Sequence, residues 1–217
     1  MAKVSELVRG LLLENGLLLG AMGEGLLNLT QTAHFLRPQV EARAKRPVQP
    51  GAIAMSLSRL AREQIASPPK EQVQIENMVV HTDLAVVTYL KNADVHQAVN
   101  LAYNKIQRAQ GYITITEGIR EITIIFSRRR IEEVERSIPQ KPLHRDVNVA
   151  ALGLTFPASH IGRPGLFYIF FQQLYFQNIN VVEQASTATE LILYLHQDDV
   201  QLAFETFYNR FVRTQDY

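Results

Sequence analysis

The fold is read from Val147–Phe211: VNVAALGLTF over 147–156, PASHIGRPG over 157–165, then LFYIFFQQLYFQNINVVEQASTATELILYLHQDDVQLAFETFYNRF over 166–211. Apolar residues alternate through Val147–Phe156, the period of a strand. Pro164–Gly165 then marks a turn, and a helical run reaches about Phe176. Ile179–Ser186 and Glu190–Leu195 read as two more strands around a short turn at Thr187–Thr189. Asp198–Phe211 predicts a helix with Val200, Ala203, Phe204 and Phe207 on one face. The order β-α-β-β-α is most of a ferredoxin-like unit.

The preceding residues repeat the pattern. Val73–Val80 and Leu84–Leu90 predict strands around a His81-Thr-Asp turn. Val95–Ala109 predicts a helix with Val95, Val99, Ala102, Tyr103 and Ile106 on one side. Tyr112–Thr116 and Glu121–Phe126 predict strands around a Gly118 turn, and Arg130–Ile138 a closing helix. Glu121–Phe126 matches Glu190–Leu195, and Ile131 matches Val200, so the chain carries an internal repeat.

Three features together resemble an ACT domain: Gly-x-Pro-Gly at 162–165 followed by a helix, Asn-Ile-Asn-Val at 178–181, and a strand ending just before Asp-Asp-Val at 198–200. Among ACT domains the stretch is most similar to the second repeat of the aspartate kinase regulatory region. The leading strand Val73–Val80 extends the resemblance to about Val73–Phe211. It implies an α+β fold, tandem ferredoxin-like (βαββαβ) ACT repeats, and amino-acid sensing. The chain departs from the family in two ways. There is no room for a kinase domain and no Gly-rich phosphate loop. The first repeat has Lys91-Asn-Ala-Asp-Val where the effector loop would stand, so effector binding is not expected there. Seven strands are read where two complete units need eight. Val73–Val80 completing the second repeat and Lys141–Arg145 supplying a piece are the two sources considered.

Residues 1–66 read as a small all-α domain, followed by a linker at 67–72 containing Ser67-Pro-Pro-Lys. The two repeats are expected over 73–139 and 140–217. Val4–Leu13 has helical spacing with Gly16 as its stop, and Leu17–Leu27 is a short helix weakened by glycines. Asn28 or Thr30 caps a helix through Leu36, and Pro38 opens a short helix over Gln39–Ala44. Pro50 opens a last helix, Gly51–Gln64, burying Ile53, Ala54, Leu57, Leu60 and Ala61. Short helices ending in a longer one resemble a helix-turn-helix, which would present Ser56, Ser58, Arg59 and Arg62 outward. With Arg43, Lys45 and Arg46 these form a candidate nucleic-acid surface. A dimerising or sheet-packing bundle explains the same pattern, because basic side chains on helices are usually only solvated.

The 217 residues are 47% hydrophobic and 20% charged, enough for a packed core. A net charge of +1 gives no basic field that would single out nucleic acid as partner. With no cysteine, disulfides and thiolate chemistry are excluded, and a cytoplasmic location is expected. The leucines of 11–19 are interrupted by Glu14, Asn15 and Gly16, so no membrane segment or signal peptide is expected. His34, His81, His96, His144, His160 and His196 show no metal-ligand spacing, so no metal and no cofactor is expected. No nucleophile or paired-carboxylate motif is present, and no enzymatic activity is expected.

The resemblance places an effector in the loop before the 166–176 helix and at the start of the next strand. By match these residues are Ser159, His160, Ile161, Gly162, Arg163, Pro164, Gly165 and Leu166, then Gln177, Asn178, Ile179 and Asn180. Glycines there allow close approach, helix-start N–H groups favour a carboxylate, and Arg163 could pair with it. A plain tight turn at Pro164–Gly165 is the competing reading. Phe167, Tyr168, Phe170, Phe171, Tyr175 and Phe176 are too many aromatics for one helical face to bury. Leu166, Phe170 and Leu174 are assigned to the core, and the others to a second repeat or a second chain. A homo-oligomer, paired through the ACT repeats, is therefore expected. The expected function is a non-catalytic amino-acid sensor with output through the helical domain, to DNA in one form of that reading. The alternative is a regulatory or scaffolding subunit that binds a partner protein through its ACT and helical surfaces without nucleic acid.

Overall fold

The computed structural model describes residues 3–63 and 73–212. The expected linker at 67–72 and the expected helix end at Gln64 lie outside the described residues. The chain divides into two compact units, Met1–Glu71 and Gln72–Tyr217.

The first unit is helical: α1 (Val4–Leu13), α2 (Gly16–Gly23), α3 (Leu29–Ala44) and α4 (Pro50–Arg62). The Asn28 side chain caps α3 by accepting from the N–H groups of Thr30 and Gln31, both at 3.1 Å. Sequence alone splits α3 at Pro38, but the helix runs through that proline to Ala44. Leu36 and Val40, on either side of it, are buried in the unit's core, so packing outweighs one missing backbone bond. Pro50 stands at the first turn of α4 as read. Val8, Leu12, Leu36, Ile53 and Leu57 form the centre of this core.

The second unit repeats one element order. Its first half is β1 (Asn77–Leu90), α5 (Ala93–Arg108), β2 (Ile113–Glu117), β3 (Glu121–Ser127) and α6 (Ile131–Ser137). Its second half is β4 (His144–Thr155), α7 (Leu166–Phe176), β5 (Val181–Ser186), β6 (Glu190–His196) and α8 (Val200–Phe207). The strands make one antiparallel sheet of order β2-β3-β1-β4-β6-β5. Helix ends match as well. Gln110 (φ 51) and Asn178 (φ 56) each close their helix in the left-handed conformation. The next N–H then bonds back, Gly111 to Ile106 and Ile179 to Leu174.

Among the described residues the strands number six and not the expected seven, because 73–90 does not turn at His81-Thr-Asp. One strand, β1, passes through it with a bulge: Asp83 has φ 62, and pairing with β4 shifts between His81 and Leu84. Residues 84–90 pair with β3, while 77–81 pair only with β4 beside β6. Likewise 144–149 of β4 lie beside the β1 half that pairs with β3. Each long strand is thus the first strand of its own repeat and the last strand of the other. Both sources considered for the missing strand are in use.

One sheet face carries all four helices. Ala85, Val87, Ile124 and Phe126 pack with α5 and α6, and Leu152, Leu154, Leu191 and Leu193 with α7 and α8. The alternate residues Leu84, Val86, Ile125, Val149, Ala151 and Tyr194 form a separate buried cluster on the other face. That face is covered because the sheet curls. The two edge strands meet where Thr116 of β2 donates to Glu183 of β5 at 3.1 Å. Beside them the hydroxyls of Tyr112 and Tyr194 lie 2.9 Å apart. Burial, and then the neighbouring Tyr112, push the Tyr194 phenol well above its ordinary pKa.

Candidate functional site

Between β4 and α7 the chain makes a short 3-10 turn, Ala158–His160, and then two left-handed glycines, Gly162 (φ 74) and Gly165 (φ 82). A Cβ at either glycine would meet nothing within 4 Å, so conformation and not crowding calls for glycine there. The loop folds over a cavity of about 260 Å³ lined by His160–Arg163, Gly165–Tyr168, Phe156 and the β5–β6 turn at Thr187 and Ala188.

His160 is buried, and both ring nitrogens are occupied. Nε2 accepts from the Gln74 N–H at 3.2 Å, which puts the ring proton on Nδ1, 3.3 Å from the Ser159 hydroxyl. This histidine pegs the loop to the segment entering β1. The Arg163 N–H donates to the His160 carbonyl at 3.1 Å, which tightens the turn. Gly165 is the N-cap residue of α7 and supplies no side-chain cap. The matching helix of the first repeat differs: Asn92 caps α5 by accepting from the Val95 N–H at 2.9 Å. The first turn of α7 therefore retains donors for an incoming anion, and that of α5 spends one on its own chain.

Of the residues expected to bind a ligand, His160, Ile161, Gly162, Arg163, Gly165 and Leu166 line the cavity, with Ser159 and Pro164 in the same loop. Gln177, Asn178, Ile179 and Asn180 follow the far end of α7, 11 residues long, and do not line it. Within one chain the two sets are kept apart. Thr187 and Ala188, which do line the cavity, were not singled out from sequence. Their signal was the hairpin turn between two strands, which antiparallel pairing returns to the end of β4.

The first repeat has a larger, open groove of about 670 Å³ at the start of α5, lined by Lys91, Asn92, His96, Asn100 and Glu117 among others. Its charges pair with each other. Glu117 bonds Lys91 and lies 3.6 Å from His96 Nε2. Those contacts, the Lys91 bond first, hold its carboxyl below the usual range.

The residues considered for nucleic acid are largely engaged. Arg43 makes a two-pronged contact with Glu14 at 2.9 and 2.6 Å. Arg59 lies 3.7 Å from Glu63, and Arg62 reaches the Ser58 hydroxyl at 3.3 Å. Lys45 terminates α3 in the left-handed conformation, with exposed Arg46 following. Ser56 corrects the sequence reading: it is buried, and its hydroxyl bonds the Ala52 carbonyl at 2.9 Å. A hydroxyl that satisfies itself against the preceding turn sits comfortably on the packed side of a helix. Among the described residues no His, Asp and Glu cluster could hold a metal ion. No described helix is long and apolar enough to cross a membrane.

No protein-family model matches the sequence, and no curated protein matches it. Solved structures do match. The ligand-free regulatory subunit of aspartate kinase from Thermus thermophilus aligns with TM-score 0.51 at 10% identity, over 63% of this chain and 97% of its own. Aspartate kinase from Clostridium acetobutylicum aligns with TM-score 0.52 at 13% identity, over 70% of this chain and 40% of its own. The Synechocystis aspartate kinase gives 0.51 at 17% identity, over 76% of this chain and 32% of its own. At these identities the likeness is one of fold. The curled sheet and its four helices have the tandem ACT fold of the aspartate kinase regulatory region.

Proposed function

We propose that this protein is a non-catalytic regulator that binds a free amino acid at the start of α7. One observation carries the reading: an uncapped helix start, reached through two left-handed glycines, opens on a cavity beside Arg163. The α7 donors and the Arg163 guanidinium would take the carboxylate. The cavity is below the roughly 300–1,000 Å³ of drug-sized sites, which suits a small metabolite. Gln177–Asn180 belong to the site only if a second copy supplies them. The outward aromatics Tyr168, Tyr175 and Phe176, 55%, 78% and 57% exposed, support such pairing through the repeats. Ligand would then favour one arrangement of the paired units, with output through the helical unit.

For that output a protein partner is better supported than DNA. Arg43 and Arg59 face carboxylates within the chain, while Phe35 and Met55 are 60% and 75% exposed. The test is a thermal-shift screen of the intact protein against the twenty amino acids. One or two should stabilise it, by about 2.7 kcal/mol at a hundredfold of their dissociation constant. Arg163→Ala should abolish the shift, and Gly165→Val should abolish it while also lowering the unliganded stability by about 1–3 kcal/mol, because a β-branched residue is strained at φ 82. A normal response in both variants places the ligand elsewhere. A complex with DNA that weakens steeply with salt, and further in Arg62→Ala, would replace the protein-partner output.

A further inference from the structure

The helix α2, GLLLGAMG, is apolar on every side, the composition of a helix enclosed by protein. In this fold it is enclosed on one side only: Met22 is buried and Leu18 and Leu19 pack on the core, while on the other side Leu17 is 65% exposed. Leu13 before α2 and Leu26 after it are also exposed, at 55% and 78%. Leu26 is the more telling. Gly25 (φ 70) closes α2 in the left-handed conformation, and the Leu26 N–H bonds back to the Ala21 carbonyl at 2.9 Å. The apolar residue at that place in such a cap normally packs onto the helix it closes, and here it faces solvent. At the centre of α2 is Gly20, where an added Cβ would meet nothing within 4 Å. Packing within the chain therefore gives no reason for a residue that weakens a helix.

We propose that α2 is a self-association surface, on which two copies of this chain pair antiparallel about a two-fold axis at Gly20. A glycine at the crossing lets two helix backbones approach closely, to a separation that a disulfide can span. The two-fold sets Leu17 of one copy against Gly23 of the other, so apolar surface covers apolar surface. Charge selects the antiparallel sense. Glu24 ends α2 beside the negative pole of its own helix, where a carboxylate is disfavoured, and no acidic side chain stands in the first turn. In the antiparallel pair Glu24 lies by Gly16 of the second copy, at the positive pole. A lipid or nucleic-acid occupant lacks this support, because residues 10–28 contain Glu14 and Glu24 and no lysine or arginine.

The chain has no cysteine, which makes the test direct. In the intact protein, Gly20→Cys should form a disulfide-linked dimer under mild oxidation, since close Cα approach is what that bond requires. Ile119→Cys, at a site 97% exposed, is the control for random collision. Leu17→Glu should lower the mass in sedimentation by about twofold, one two-fold step of association, with an unchanged circular dichroism spectrum. Cross-linking of Gly20→Cys no faster than Ile119→Cys overturns the proposal. So does a Leu17→Glu protein of unaltered mass. Neither readout involves amino-acid binding, so each stands apart from the sensing reading.

Discussion

Gly111 and Tyr89 are two places where single atoms in the first repeat's core can be weighed. Gly111 follows the left-handed Gln110, and a Cβ there would lie 2.9 Å from the Ile106 Cγ2. Ile106 is fully buried among Val99, Ile113 and Phe126, so it cannot yield cheaply. Gly111→Ala should destabilise the fold by about 1–3 kcal/mol, read as a lower urea midpoint with unchanged slope. Tyr89 is fully buried, and its hydroxyl has no hydrogen-bond partner among the described residues. Removing an unsatisfied hydroxyl should be neutral or stabilising by up to about 1 kcal/mol in Tyr89→Phe near neutral pH. Burial, and secondarily the Glu135 carboxylate, push the Tyr89 phenol from 10.0 up to about 12. Between those values the unfolded chain loses its proton first, so stability falls as pH rises from about 10 towards 12. Urea titrations at pH 8 and pH 11 should show that fall, and Tyr89→Phe should lessen it.

At the level of elements, the β1 bulge sets the face of every residue after it. Asp83 holds its left-handed backbone with its N–H on the Gln197 side chain at 3.1 Å and its carboxylate on Arg128 at 2.5 Å. Asp83→Gly keeps the conformation without strain and should cost little beyond the exposed ion pair. Asp83→Val loads a β-branched residue into the same conformation and should cost about 1–3 kcal/mol. Deleting Asp83 would turn Ala85, Val87 and Tyr89 away from α5 and α6, and the protein should fail to fold. Equal thermal stability of the Gly and Val variants would show that the bulge is not held as described. The same residues mark what the sequence made legible. Alternation located all six strands within a few residues, and the repeat was visible in Glu121–Phe126 against Glu190–Leu195. His81-Thr-Asp looked like a turn because local chemistry scarcely separates a turn from a bulge, and only the partner strand decides. Pro38 ended a helix on paper because propensity is local, while Leu36 and Val40 gain their burial from α1 and α4. The loop of the candidate site was legible through its glycines. Its closure by Thr187 and Ala188 was not, since that follows from sheet order.

For the whole molecule, the exchange of strand ends fixes what can fold alone. An expected boundary at 139/140 falls between α6 and β4, but Gln72–Tyr217 is one compact unit. Cutting there leaves residues 84–90 without the 144–149 segment of β4, and leaves the 151–155 segment of β4 without 77–81. Each fragment then bares an edge in the middle of a sheet, with main-chain donors and acceptors unpaired over buried side chains such as Val87 and Leu152. The buried cluster of Ile125, Val149 and Tyr194 also draws on both fragments, and neither can cover its share alone. Fragments 72–139 and 140–217 should therefore each lack cooperative thermal unfolding. Mixed in equal amounts they should recover it, together with the circular dichroism spectrum of the intact 72–217 fragment. Sharp unfolding of 72–139 by itself would mean that β1 finds its pairing within one repeat. The two halves would then be neighbours in the chain and not, as the register of β1 on β4 requires, one sheet built from both.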